Sequence, residues 1–285
     1  MMKRIVSPEP MHDITPPDLG QVHIADIDTF GKLEVTIHGD PTSKATMVQF
    51  MPWSEYGTRP DARARHGVMA KYFGGRIITL GTPGIGPGSS GLSAGLRHDV
   101  RRGNLDEVAR IQTEALMQVA PTLGSISLFG YSMGTVLEAN FVQQARGVLD
   151  IKHATLAEIV ANRPTNKVVL GTHLVYDALA RADYRRTNPA WYRKLAHPLP
   201  SQLGALDTYT DMLACGGQFD ENHFEGIPTL AVSCSQSSLL RPADADKLAE
   251  RLNADQLVLA GHNHSFIDNL GNMAWLASYL KDIDN

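Results

Sequence analysis

Residues 130–134 read Gly-Tyr-Ser-Met-Gly, a Gly-x-Ser-x-Gly pattern between an apolar run at 125–129 and the helically spaced stretch Met133–Ala145. The chemistry suited to that arrangement is nucleophilic. A sharp strand-to-helix turn holds a serine in a strained backbone conformation with its hydroxyl exposed, and glycines two residues to either side let neighbouring backbone approach. The helix that follows aims its first N–H groups at negative charge developing on a substrate oxygen. The five-residue pattern also occurs in plain Gly/Ser turns, so it is the strand–turn–helix setting that marks Ser132 as a nucleophile. A serine hydroxyl needs a base to take its proton. Gly261-His262-Asn263-His264 follows another apolar run, 256–259, and offers two imidazoles. A His-x-His pair also suits a metal, but no cysteine or obvious third ligand accompanies it, so neither metal nor cofactor is expected.

These groups need a scaffold, and the apolar pattern describes one. Residues 21–27 and 32–38 alternate and are joined through Thr29-Phe30-Gly31, which predicts a β-hairpin. Short apolar runs at 45–51, 76–80, 125–129, 152–159, 229–233 and 256–259 read as buried strands. Helical spacing appears at 62–73, 104–120 (with Asn104 as its cap), 133–145, 243–252 and 272–281. Strands alternating with helices predict an α/β fold with a mostly parallel sheet covered on both faces. Residues 1–20, polar and proline-rich, read as a surface arm. Between 159 and 229 the alternation lapses, which predicts a helical insertion or lid rather than a simple connection. The expected division is a core of 1–160 and 213–285 with a cap at 161–212. The cap holds Tyr176, Tyr184, Trp191, Tyr192 and Tyr209, and an Arg181, Arg185, Arg186 group that reads as a solvated face or as a contact for an acidic substrate.

Composition narrows the function classes. The chain has 285 residues, 43% hydrophobic and 20% charged, which excludes a disordered polypeptide. A net charge of −4 gives no broad basic field for nucleic acid. The two cysteines, Cys215 and Cys234, cannot build a disulfide scaffold and are expected to be buried and reduced. No stretch of about 18 apolar residues predicts a membrane span, and no signal sequence is evident, so a cytoplasmic protein is expected. Nothing in the sequence decides between a monomer and a homo-oligomer.

With the Gly130–Gly134 turn in this setting, residues 21–160 and 225–285 resemble the α/β-hydrolase superfamily. The glycine-rich stretch Leu80-Gly81-Thr82-Pro83-Gly84-Ile85-Gly86-Pro87-Gly88 is similar to that superfamily's loop after the fourth strand. The resemblance implies an eight-stranded, mostly parallel sheet with the nucleophile after the fifth strand and the histidine after the last. Relatives commonly show a glycine, two residues, then the histidine. Gly261-x-x-His264 has that spacing, which favours His264 over His262. Relatives usually carry the orienting acid after the seventh strand, but that position here holds Ser237 and Ser238. Some members, including a subset of haloalkane dehalogenases, carry it after the sixth strand, where this chain has Glu158. Asp244 and Asp246 are alternatives. The likeness to dehalogenases stops at the nucleophile, since they attack with aspartate.

The resemblance further implies two backbone N–H donors for an oxyanion. Met133 is the first. The second belongs to the loop after the third strand, Met51-Pro52-Trp53-Ser54-Glu55-Tyr56, where relatives often begin His-Gly. Pro52 has no N–H, so Trp53 is expected to donate. Tyr131, Trp53 and Met133 are expected to touch substrate. The activity implied is a serine hydrolase acting on a small-molecule carboxylic ester or thioester. Carbon–carbon bond hydrolase, lactonase and acyltransferase chemistries remain open within the same site, and a non-catalytic binding protein is the alternative outside it.

Overall fold

The computed structural model of the chain describes residues 2–12, 14, 20–159, 166–179, 202–215 and 219–284. Among them, nine strands form one sheet: β1 (Lys3–Val6), β2 (Gln21–Ile27), β3 (Gly31–His38), β4 (Thr46–Phe50), β5 (Arg76–Leu80), β6 (Ile126–Tyr131), β7 (Ile151–Ala157), β8 (Thr229–Cys234) and β9 (Asp255–Leu259). Their spatial order is β1-β9-β8-β7-β6-β4-β5-β3-β2. All neighbours from β5 through β4, β6, β7, β8 and β9 to β1 run parallel, while β2–β3 and β3–β5 are antiparallel. The leading hairpin therefore forms one edge, as its alternation predicts. The carboxyl ends of β4 to β9 all open on the same side of the sheet, where open α/β sheets place their ligands.

The eight strands legible in the sequence are present, and β1 is a ninth. Residues 3–6 are not the surface arm that their composition suggests. They pair with Gln256–Leu259, and the edge is continued by Gln256 N–H to Met2 O at 2.8 Å and Ala260 N–H to Val6 O at 2.7 Å. This strand is held by backbone hydrogen bonds to an otherwise open edge; Ile5 is two-thirds exposed, so no apolar alternation announced it.

The helices are α1 (Pro60–Phe73), α2 (Ala94–Arg101), α3 (Asp106–Val119), α4 (Met133–Ala145), α5 (Lys167–Leu179), α6 (Leu203–Ala214), α7 (Pro242–Arg251) and α8 (Leu270–Asp284). Asn104 is not itself the cap of α3. Its Oδ1 accepts the Asp106 N–H at 3.1 Å, while Leu105 is the residue that opens the helix. Side chains alternate along the strands into two apolar clusters. One packs Val48, Phe50, Leu128 and Leu156 under α3, α4 and α6; the other packs Met47, Phe129, Val232 and Leu257 under α1 and α8. Helix α6 runs past residue 212 and buries Leu206, Tyr209, Met212 and Leu213 in the first cluster. Residues 181–201, with the arginine group, Tyr184, Trp191 and Tyr192, lie outside the described residues. No described helix is long and apolar enough to cross a membrane. Cys234 is buried, but Cys215, expected to be so, is exposed at the end of α6.

Two histidines lie side by side in the core. His38 on β3 and His66 on α1 are 1% exposed, with ring centroids 5.5 Å apart. Burial, together with nearby Arg63, pushes His38 down to about 4; burial also lowers His66, with His38 and Arg65 adding to the effect. A histidine whose folded pKa lies below its unfolded value leaves the unfolded chain as the better proton binder. The stability from keeping these rings neutral is complete above the unfolded value of about 6.5 and is lost as pH falls from there. The melting temperature is therefore expected to drop between pH 6.5 and 4, with His38 alone contributing on the order of 3 kcal/mol. His38→Gln should flatten that slope in thermal melts across this range; an unchanged slope would place the acid sensitivity elsewhere.

Candidate active site

Ser132 follows β6 directly and precedes the first residue of α4. Its φ of 55° and ψ of −123° put a non-glycine residue in a region that costs on the order of 1–3 kcal/mol. The turn is held from both sides. Ser132 N–H donates to Ala157 O on β7 at 2.9 Å, and Ser132 O accepts from Thr135 N–H at 3.0 Å and Thr135 Oγ1 at 2.7 Å. The flanking glycines are sterically required. A Cβ on Gly130 would sit 2.8 Å from Gly134 O and collide with the Glu138 carboxyl; one on Gly134 would strike Phe50 O at the end of β4. The chain after β4 thus lies directly on the first turn of α4, where the Met133 N–H has no partner within the helix.

Glu158 stands at the carboxyl end of β7, also at positive φ (54°), and is 1% exposed. Its backbone N–H donates to Val232 O at 2.8 Å. Its Oε1 accepts the Cys234 N–H at 2.6 Å, and its Oε2 lies 3.0 Å from His264 Nδ1. A carboxylate at Nδ1 places the ring proton there and leaves Nε2 as an acceptor. His264 begins a short 3-10 turn, His264–Asp268, whose preceding Asn263 caps it by accepting the Ser265 N–H. The imidazole packs on Tyr131, the residue before the serine, with centroids 5.3 Å apart.

The other sequence candidates are placed elsewhere. The His262 ring stacks edge-on against Phe266, and its carbonyl accepts the Gln236 N–H. Ser237 Oγ accepts the Leu240 N–H in the turn after β8. Asp244 pairs with Arg241 in the first turn of α7, and Asp246 with Lys3 on the edge strand. Tyr131, expected at the substrate, is 3% exposed and belongs to the core cluster, where its ring is a wall for the imidazole. Trp53 is half-buried, and its indole Nε1 donates to Thr210 Oγ1 on α6 at 3.0 Å. Helix α6 is also anchored to the glycine-rich loop through Tyr209 Oη to Pro83 O at 3.1 Å. It therefore roofs the loops after β4 and β5. Among the described residues no group of three or more His, Cys, Asp or Glu side chains has metal-binding geometry.

One acid escaped the sequence reading. Glu138 on α4 is fully buried behind the serine turn, with its carboxyl against the backbone of Gly130. Burial raises its pKa well above the usual carboxylate value. Position 138 lies among inward-facing residues of an apolar helix, and only its charge could have drawn notice. An acid whose folded pKa is raised contributes stability below its unfolded value that is lost as pH rises toward the folded value. Glu138→Gln, which stays neutral, should match wild type near pH 4 and melt progressively higher than wild type as pH increases toward 8. A constant difference in melting temperature across that range would show that Glu138 does not titrate this way.

No protein-family model and no curated protein sequence matches the chain. Solved structures do. A bromoperoxidase from Bacillus anthracis superposes with a TM-score of 0.67 at 16% identity, over 92% of this chain and 100% of that one. An α/β-hydrolase fold protein from Chitinophaga pinensis gives 0.65 at 12% identity, over 92% and 98%. A thermophilic esterase from Thermogutta terrifontis gives 0.64 at 13% identity, over 92% and 97%. At these identities the likeness is one of fold, and it extends over nearly the whole of each chain.

Proposed function

We propose that this α/β-hydrolase fold carries a serine hydrolase that cleaves a carboxylic ester or thioester through an acyl-enzyme on Ser132. The observation that carries the reading is the Glu158–His264 hydrogen bond beside a serine held at positive φ. In the first half-reaction Ser132 Oγ attacks the acyl carbon while His264 Nε2 takes its proton. Glu158, bonded at Nδ1, stabilises the imidazolium without accepting its proton. The carbonyl electron pair moves to oxygen, where the N–H groups of Met133 and Trp53 receive it. Collapse of the tetrahedral intermediate breaks the carbon–oxygen or carbon–sulfur bond, and His264 returns the proton to the leaving group. Water, deprotonated by the same imidazole, then releases the acid and restores Ser132.

The chain keeps three features that this reading needs. The nucleophile follows the fifth of the eight core strands. The base follows β9, and the acid follows β7, so strand ends two sheet positions apart converge on one imidazole. The roof formed by α6, with Trp53 tied to it, supports a role for the insertion as one wall of the acyl or leaving-group pocket. The esterase among the structural neighbours supports the same class.

Fluorophosphonate labelling tests the nucleophile. Wild type should be modified and Ser132→Ala inert; equal labelling of both would sink the reading. On a p-nitrophenyl ester, Glu158→Gln should lower kcat by about 10⁴-fold while leaving KM little changed, because the amide would favour the wrong imidazole tautomer. His264→Ala should be far more damaging than His262→Ala, and the reverse order would exchange their roles.

A further inference from the structure

A buried ion-pair cluster lies outside the groups assigned above. Arg65 on α1 is 3% exposed, and its guanidinium donates to carboxylates on two different loops. One is Glu55 Oε2, in the segment after β4; the other is Asp268 Oδ1, 3.2 Å away, in the turn that begins at His264. Arg59 stands beside it, donating to Asp61 Oδ1 at 2.6 Å and to Glu55 Oε1 at 3.5 Å. Asp61 completes the group at 3.8 Å from Arg65 Nη1. Two guanidinium groups thus meet three carboxylates, and Glu55 is shared by both arginines.

Arg65 ties the two loops directly. Strands β4 and β9, which lead into them, are separated in the sheet by β6, β7 and β8. Within the loop after β4, Glu55 N–H donates to Pro52 O at 3.2 Å and Arg59 N–H to Tyr56 O at 3.1 Å, Thr58 N–H and Oγ1 donate to the Glu34 carboxylate at 2.8 Å each, and Ser54 has a φ of 65°. Glu55 is two residues from Trp53. Asp268 is four residues from His264 within one 3-10 turn. Buried charges are costly unless paired, so moving either carboxylate away from Arg65 would strand an ion in the core. A planar guanidinium spans two carboxylates at once, which the point charge of a lysine cannot do as well.

We propose that Arg65 is a positioning residue whose guanidinium, bridging Glu55 and Asp268, sets the spacing between the oxyanion donor at Trp53 and the base at His264. It touches no substrate. Its influence on rate arises because a misplacement of about 1 Å in an assembled site costs about 100-fold. The assignment rests on the serine-hydrolase reading for its catalytic consequence, while the bridge itself does not.

The test compares wild type with Arg65→Lys, which keeps the charge and loses the fork. Acylation by a fluorophosphonate is expected to slow about 100-fold. The substrate dissociation constant for p-nitrophenyl acetate, taken from the saturation of the pre-steady-state burst rate, should stay within about threefold, since ground-state binding is untouched. A cooperative thermal melt establishes that the variant is folded, and acylation within about threefold of wild type in that folded protein would overturn the proposal. A second arm needs no activity. The His264 Nδ1 proton should give a downfield NMR resonance, and Glu55→Gln, on the far loop, should move it when Arg65 is present and leave it unmoved in the Arg65→Lys background. A resonance indifferent to Glu55 in both backgrounds would overturn the bridge. If wild type is not labelled by the fluorophosphonate, the serine-hydrolase reading fails, and this arm still decides whether Arg65 couples the two loops.

Discussion

One buried carboxylate ties the site together. Glu158 receives the Cys234 N–H on one oxygen and faces His264 on the other, while its own N–H reaches back to Val232. Three parallel strand ends, those of β7, β8 and β9, are thereby brought to one side chain. A charge this deeply buried is tolerated only where its acceptor capacity is used. The same requirement that keeps Glu158 paired therefore orients the imidazole. The backbone N–H of Cys234, at the end of β8, supplies part of what a buried carboxylate needs.

Several features of the site run against local stability. Ser54, Ser132 and Glu158 all hold positive φ without being glycine. Glu138 is a carboxyl fully buried behind the serine turn. Each is a cost that the two apolar clusters on either face of the sheet must offset, and each lies close to the proposed chemistry. Strain concentrated in this way is expected where surrounding structure over-determines a conformation for function. The glycines at 130 and 134 are the complementary device. They remove side chains from the places where the Phe50 carbonyl and the turn of α4 pass through.

Much of the scaffold is legible in the sequence because periodicity reports burial. The alternation at 21–38, the short apolar run at 76–80 and the helical spacing at 133–145 each mark an element that is present, although β3 and α4 are buried more completely than their patterns suggest. Strand β1 was not legible, because it is held mainly by main-chain bonds and its first three side chains are exposed. Nothing in the sequence singled out Arg59, which precedes α1, or Arg65 within it. Their partners are 2 to more than 200 residues distant, and separation in sequence carries no sign of an ion pair. Helix α6 gave a comparable surprise, packing Tyr209 and Met212 into the main core rather than standing apart as a lid.

By itself the sequence determined the residue types and their order along the chain: a serine in a glycine-flanked turn, a glutamate at one strand end, two histidines after another. Through its resemblance to α/β-hydrolases it pointed to Glu158 as the acid, since the position where that superfamily usually carries it holds Ser237 and Ser238 here. What it could not decide was which groups meet. Only the tertiary structure turns Glu158 toward His264 and His262 toward Phe266, and only it sets Arg65 between the two loops. The reason is physical. Local pattern governs how each strand or helix forms, whereas a 3 Å contact between residues more than a hundred positions apart depends on the register and twist of the whole sheet.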